Sequence, residues 1–311
     1  MSSTFQNIAI VGASGNVGAA AVQELLAQGF TVTALTRASS TATFPAGVRV
    51  EKIDDYSSVT ALTAALRGQD AVVSAVATTV VPSQIALVDA AVAAGVKRFL
   101  PSEFGANTRT LVGNDGVTAA LGTKTRVNDY LVQKSSENED FSWTSVVAGS
   151  FFDWSLDMGT YAFNKTTKTA TIFDSGNAPL HVSTVPFIAK AVAAVLRHPE
   201  ETKNRYVTIA SGYTSQNKLL QRAEKTTGQT WTVERVATAD LKRVGREALE
   251  RGDFGAAFGP LLQSHLFQDD GGRLVTTEND NDVLGLREED LDAIFDEWLV
   301  AEKGKAWASG L

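Results

Sequence analysis

The stretch Ile8-Ala9-Ile10-Val11-Gly12-Ala13-Ser14-Gly15-Asn16-Val17-Gly18 sets the fold. Its first four residues are apolar and short enough for a buried strand. Three glycines follow at a spacing of three. From Asn16 the apolar residues Val17, Ala20, Ala21 and Leu25 recur at helical spacing, and Gly29 ends the run after Gln28. A strand that turns through glycines directly into a helix is the first half of a βαβ unit.

Outward from this unit, strand and helix signals alternate to about residue 150. Strands are expected at 31–36, 48–53, 71–76, 97–100 and 142–147. Helices are expected from Ser57 or Ser58 to Leu66, at 82–94 with Pro82 in the first turn, and at 121–133. Alternation of this kind implies parallel strands joined by right-handed crossovers. The expected class is α/β, a Rossmann doubly wound parallel sheet over residues 1–150. A strand near 205–209 returns to that sheet. Residues 151–311 form a smaller C-terminal α/β substrate region. It holds a hairpin-like stretch at 166–177 and helices at 187–197, 217–227, 237–251 and 288–303. The segment 254–267 is rich in glycine and aromatics, and the acidic segment 269–302 reads as solvated surface.

Composition narrows the function. Hydrophobic residues make up 44% of the 311, enough for a large core. The net charge is −7 and no basic cluster stands out, so neither nucleic acid nor an anionic membrane is an expected partner. No apolar run is long enough to span a bilayer. There is no cysteine, which excludes disulfides and thiolate chemistry and suits a cytoplasmic setting. The three histidines, His181, His198 and His265, lack metal-ligand spacing, so no metal site is expected. No Gly-x-Ser-x-Gly elbow is present.

The glycine stretch also has a chemical reading. Gly12 permits the tight turn, Gly15 lets backbone approach a pyrophosphate, and Gly18 lets the helix pack close to the strand. The helix start then offers N–H groups and a partial positive charge to the phosphates, with Ser14 and Asn16 as side-chain donors beside Val17. The strand 31–36 carries no acid at its end for a ribose hydroxyl. Arg37 stands there instead, followed by Ser39 and Ser40, and pairs with a 2′-phosphate. NADP(H) is therefore the expected cofactor, with Ala75 and Phe151 completing its site.

Gly95-Val96-Lys97-Arg98 followed by Phe99-Leu100-Pro101-Ser102-Glu103-Phe104-Gly105 is distinctive. With the glycine stretch it resembles the isoflavone reductase-like group of the NmrA-like family, atypical short-chain dehydrogenases, in its fungal form. Lys124-Thr125-Arg126-Val127 resembles that group's lysine-x-x-x-arginine helix start, although the arginine here comes two residues after the lysine. Phe141–Thr144, Gly149–Phe152 and Thr171–Asn177 resemble its sixth strand, substrate loop and glycine turn. The likeness is sharp in the N-terminal motifs and loose after about residue 210.

The resemblance implies an NADPH-dependent reductase passing hydride to a conjugated aromatic, phenolic, enone or quinone-methide-like molecule. It implies Lys124 as the active-site lysine, positioned to stabilise or protonate a developing oxygen charge. Ser102, Glu103 and Phe104 shape the pocket, with Glu103 more an orienting acceptor than an acid. Phe152 and Trp154 stand beside Phe151 as a surface for an aromatic substrate. The protein would act as a monomer or homodimer on a small aromatic molecule. A competing pattern is Tyr130-x-x-x-Lys134, the motif of ordinary short-chain dehydrogenases, whereas the position four before Lys124 holds Ala120. A different outcome is an NmrA-like regulator that senses NADP(H) without turnover.

Overall fold

The computed structural model describes residues 5–110, 116–269, 278–302 and 304. The glycine stretch lies between β1 (Asn7–Val11) and α1 (Asn16–Ala27). β2 (Thr31–Arg37), β3 (Arg49–Ile53), α2 (Val59–Leu66), β4 (Ala71–Ser74), α3 (Gln84–Ala94) and β5 (Arg98–Leu100) follow in alternation. Then come α4 (Gly116–Glu137) and β6 (Ser142–Val147). The four strands β1, β2, β4 and β5 are buried along nearly their whole length because helices cover both faces of the sheet.

The C-terminal half interleaves short strands and helices. They are β7 (Ser150–Phe151), α5 (Phe152–Asp157), β8 (Phe163–Asn164), β9 (Thr169–Phe173), β10 (Leu180–Ser183) and α6 (Val185–Arg197). β11 (Arg205–Thr208), β12 (Gly212–Thr214), α7 (Gln216–Thr227) and β13 (Thr232–Val236) come next, then α8 (Thr238–Glu250), α9 (Phe254–Phe267) and α10 (Leu291–Val300).

Seven strands form the main sheet in the order β11-β6-β5-β4-β1-β2-β3, and every pairing is parallel. The expected Rossmann class is what the structure has. β11 joins at the far edge, with Arg205 opposite Thr144. Strand order reverses between β1 and β4, which opens a crevice at their carboxyl ends. α1 and α6 cover one face around Ile10, Ala21, Leu25, Phe187 and Val192. α2, α3 and α4 cover the other around Leu62, Leu87, Val88, Phe99 and Leu131. A third core, with Phe152, Tyr161, Ile172, Trp231 and Phe295, holds the C-terminal region. Among the described residues, no helix is long and apolar enough to cross a membrane.

Three elements depart from expectation. The stretch 71–76 ends as a strand at Ser74, and a tight 3-10 turn over Thr78–Ser83 precedes α3. Helix α4 begins at Gly116, a turn and more before the expected start. Residues 254–267 are helical despite Gly255, Gly259 and Pro260. There the Asp253 carboxylate caps the first turn by accepting from the Ala256 N–H at 3.0 Å. Close packing on α8 then outweighs poor helix propensity: a Cβ on Gly245 of α8 would come within 2.5 Å of Leu261. The last helix occupies 291–300 of the expected 288–303, with Lys303 outside the described residues. So are 270–277 of the acidic segment.

Arg98 is an unusual core residue, 1% exposed. Its guanidinium donates to Ser142, Thr144 and Thr202 hydroxyls and to the Pro199 carbonyl, at 2.6–2.9 Å. Burial pushes its pKa down to about 10. The charge is tolerated because hydrogen bonds meet it from two segments, β6 and the loop before β11.

Candidate active site

Sterics fix the glycine turn. Gly12 has φ +78°, and a Cβ there would lie 2.4 Å from the Ala75 carbonyl oxygen. A Cβ on Gly18 would lie 2.1 Å from the Gly12 carbonyl oxygen. Gly12 and Gly18 are therefore demanded by the fold itself. Gly15 is less constrained: a Cβ there would lie 3.3 Å from the Gly12 carbonyl oxygen and 3.7 Å from that of Ala75, close but without overlap. It is the N-cap of α1, brings no capping side chain, and the first turn carries no acid. A backbone surface kept bare at a helix N-terminus suits an anion.

The segments that follow β1, β4 and β5 meet here. A cavity of about 420 Å³ is lined by Gly15, Asn16 and Val17, by Ala75 to Thr79, by Ser102 to Gly105, and by Lys124. Phe151, Trp154, Phe254, Gly255 and Phe258 close it opposite. A second space of about 190 Å³ shares Thr78, Gly105, Lys124, Phe151, Trp154 and Phe258 with it and runs on to Leu262, His265 and Leu266. The cavity thus lies at the switch between β1 and β4, where open α/β sheets place ligands.

Lys124 stands where the two spaces meet. Its Nζ donates to the Glu103 main-chain carbonyl at 2.8 Å. Burial lowers its pKa below the ordinary lysine value, and the Glu103 charge opposes that shift. Glu103 is 1% exposed, and burial raises its carboxyl pKa against the pull of Lys124 and of its hydrogen bonds. The carboxylate accepts from the Thr108 N–H at 2.8 Å and from Asn128 Nδ2 at 3.1 Å. Both oxygens are thus engaged by neutral donors, which suits an orienting group rather than an acid. Ser102 donates its hydroxyl to the Val76 carbonyl at 2.7 Å and so ties the ends of β4 and β5. Phe104, between them, has φ +40°, a strained value for a bulky residue.

Other sequence-predicted residues divide. Arg37 and Ser39 lie exposed at the end of β2, beyond the cavity, as does Ser14 in the turn. Buried beside Arg37, the Thr36 hydroxyl has no hydrogen-bond partner among the described residues. Phe152 corrects an expectation. It is fully buried in the C-terminal core against Tyr161, at 5.8 Å between ring centroids, and lines neither space. α5 starts at Phe152, so Phe151 and Trp154 turn to the cavity while Phe152 turns inward. The Tyr130 and Lys134 pair is elsewhere too. Tyr130 donates to Asp89 of α3 at 2.5 Å, and Lys134 lies 3.6 Å from the same carboxylate. That pair binds two helices together.

Thr78, Thr79, Phe254, Phe258 and Leu262 line the site without having been singled out. Thr78 and Thr79 follow the end of β4 at the switch point, a positional signal. The α9 residues had only an aromatic-rich composition to announce them.

Residues 4–254 match the NmrA-like family, and the chain belongs to it, as an isoflavone reductase-like member. The oxidoreductase aprR of Aspergillus flavus is 34% identical over 93% of this chain and 97% of that protein. An isoflavone reductase homolog, IRL, of Zea mays is 29% identical over 78% of this chain and 82% of its own. The solved structure of AtPrR2 with NADP+ and (+)pinoresinol superposes with a TM-score of 0.79 at 21% identity, covering 94% of this chain and 99% of that one. It shows the shared fold.

Proposed function

We propose that the protein is an NADP-dependent oxidoreductase that reduces a conjugated aromatic, phenolic, enone or quinone-methide-like small molecule with NADPH. One observation carries the reading: a single cavity joins the bare α1 N-terminus, a partly buried lysine and an aromatic wall. The residues present fit the cofactor. The Gly12–Gly18 turn keeps side chains away from the space a pyrophosphate takes. Arg37 and the unpartnered Thr36 hydroxyl supply a cation and a donor for a 2′-phosphate. Names of the relatives support the class, since aprR is an oxidoreductase and AtPrR2 was solved with NADP+ and an aromatic ligand.

When bound, NADPH supplies the hydride. The chain does the rest. Gly15, Asn16 and Val17 hold the phosphates, and residues 1–150 with β11 form the cofactor-binding part. The Glu103 carbonyl holds the Lys124 ammonium at the cavity, where it stabilises or protonates the oxygen that gains charge on the substrate. Phe151, Trp154, Phe254 and Phe258, from the region 151–311, hold the aromatic body and exclude water.

Titration of the purified protein with NADPH and NADH, followed through the reduced-nicotinamide absorbance with a panel of phenolic enones, quinones and lignan-type ethers, tests this. Preferential NADPH binding with oxidation by a panel member is the expected result. Tight binding with no turnover across the panel contradicts it and leaves a regulator that senses the cofactor.

A further inference from the structure

We propose that Asn128 is a positioning residue for Lys124: its side chain clamps the Glu103 loop to α4 and β6, so that the Glu103 carbonyl is held against the lysine ammonium. This rests on Lys124 being the active-site lysine.

The loop needs such a clamp. Phe104 sits at φ +40°, a strained value that persists only where its surroundings impose it. That dihedral sets the turn in which the Gly105 N–H donates to the Glu103 carbonyl at 2.6 Å and Lys124 Nζ donates to the same oxygen at 2.8 Å. The Glu103 side chain anchors the turn from below, and Asn128 is what anchors Glu103 to the helix. Asn128 is 0% exposed. Its Nδ2 donates to Glu103 Oε2 and to the Lys124 carbonyl, each at 3.1 Å. Its Oδ1 accepts from the Ser145 hydroxyl of β6, also 0% exposed. One amide therefore touches the helix turn carrying the lysine, the loop carrying its acceptor, and the sheet beneath both.

The chemistry of the choice matters. The position lies four residues after Lys124, where the pattern this chain resembles has an arginine. An amide there satisfies the buried carboxylate without neutralising it, so the loop's negative charge remains to face Lys124. An amide also fixes its two ends by polarity: donor toward Glu103, acceptor toward Ser145.

The test exploits that polarity. Asn128→Asp sets a carboxylate against the Glu103 carboxylate and opens the clamp. Adding Glu103→Gln reverses donor and acceptor and restores the bond between the two side chains, though not the donation to the Lys124 carbonyl. The readout is reductive methylation of Lys124, mapped peptide by peptide in the full-length protein, with Lys134 on the same helix as the internal control. Asn128→Asp is expected to raise Lys124 labelling about tenfold with Lys134 unchanged, and the double substitution to return it to within about threefold of wild type. Turnover per NADPH site is expected to fall about tenfold in the single variant with KM for NADPH unchanged, and to recover in the double. Equal acceleration at Lys134 means loss of helix stability and overturns the proposal, as does wild-type labelling in the single variant. Should the single variant fold poorly, Ser145→Ala loosens the same amide and is expected to raise Lys124 labelling several-fold; a wild-type rate there overturns the proposal. Labelling does not depend on turnover, so it is separable from the Lys124 reading, which fails instead if Lys124→Ala keeps full activity.

Discussion

One wall of the cavity is made at the ends of parallel strands and the other by helices from the far end of the chain. The strand wall is mostly backbone. Gly12 and Gly18 leave no space for a Cβ, and the Gly105 carbonyl accepts from the Ala148 and Gly149 N–H groups at 3.0 and 3.2 Å. The helix wall is mostly side chains. Phe254 and Phe258 of α9 lie 5.8 Å apart between ring centroids, tilted at 35°. Such a division separates tasks. A wall of backbone holds fixed geometry for the cofactor and Lys124, while a wall of replaceable rings sets which substrate fits.

Substitutions on each wall can break or sharpen that division. Arg37→Ala acts on the cofactor side. It is expected to raise the Kd for NADPH about 10- to 100-fold, the value of a charge-assisted contact, and to leave NADH little changed. Fluorescence titration with the two cofactors reads it, and equal losses would remove the 2′-phosphate assignment. Phe258→Ala acts on the opposite wall. It is expected to raise substrate KM about fivefold, from lost ring contact worth about 1 kcal/mol, with NADPH affinity unchanged. If NADPH affinity fell as much as substrate affinity, the two walls would not be separate. Tyr130→Phe lies on neither wall. It removes a hydrogen bond to Asp89, so a loss of about 1 kcal/mol in denaturant unfolding is expected, with turnover unchanged.

Lys124 and Lys134 sharpen the same lesson along one helix. Burial lowers the Lys124 pKa, whereas Lys134 is raised by its hydrogen bond with Tyr130 and by the Asp89 and Glu137 charges. Turnover that needs the Lys124 ammonium is expected to fall as pH rises through a value below 10.5. The linkage follows. Between its lowered folded value and 10.5 the folded protein binds fewer protons than the unfolded chain, so stability rises with pH across that window. Lys124→Met is expected to flatten this rise in unfolding titrations. A rise that persists unchanged would place the titrating group elsewhere.

The strand wall was legible because its signals are local. Gly12, Gly15 and Gly18 sit between a four-residue apolar run and a helix, and Arg37 ends the next strand. Strand alternation implied the parallel sheet, and the strand expected to return near 205–209 is β11, which pairs with β6. The helix wall depends on contacts between distant segments. Helix α9 carries Gly255, Gly259 and Pro260, each a helix-breaking signal, and forms because Gly245 admits Leu261. Phe151, Phe152 and Trp154 read as one cluster, yet the start of α5 splits them between cavity and core. Asn128 announced itself only as a departure from the resembled pattern, which has an arginine there; by itself an asparagine within a helix reads as neutral until the buried carboxylate it meets is known.

The most direct test is Lys124→Ala loaded with NADPH, with cofactor binding and oxidation followed in the same sample through quenching of the cavity's Trp154 and the nicotinamide absorbance. The account predicts binding near that of wild type and turnover lowered about 10²- to 10⁴-fold, the range of a proton-handling group. Turnover at the wild-type rate would contradict it and move the reaction away from this cavity wall.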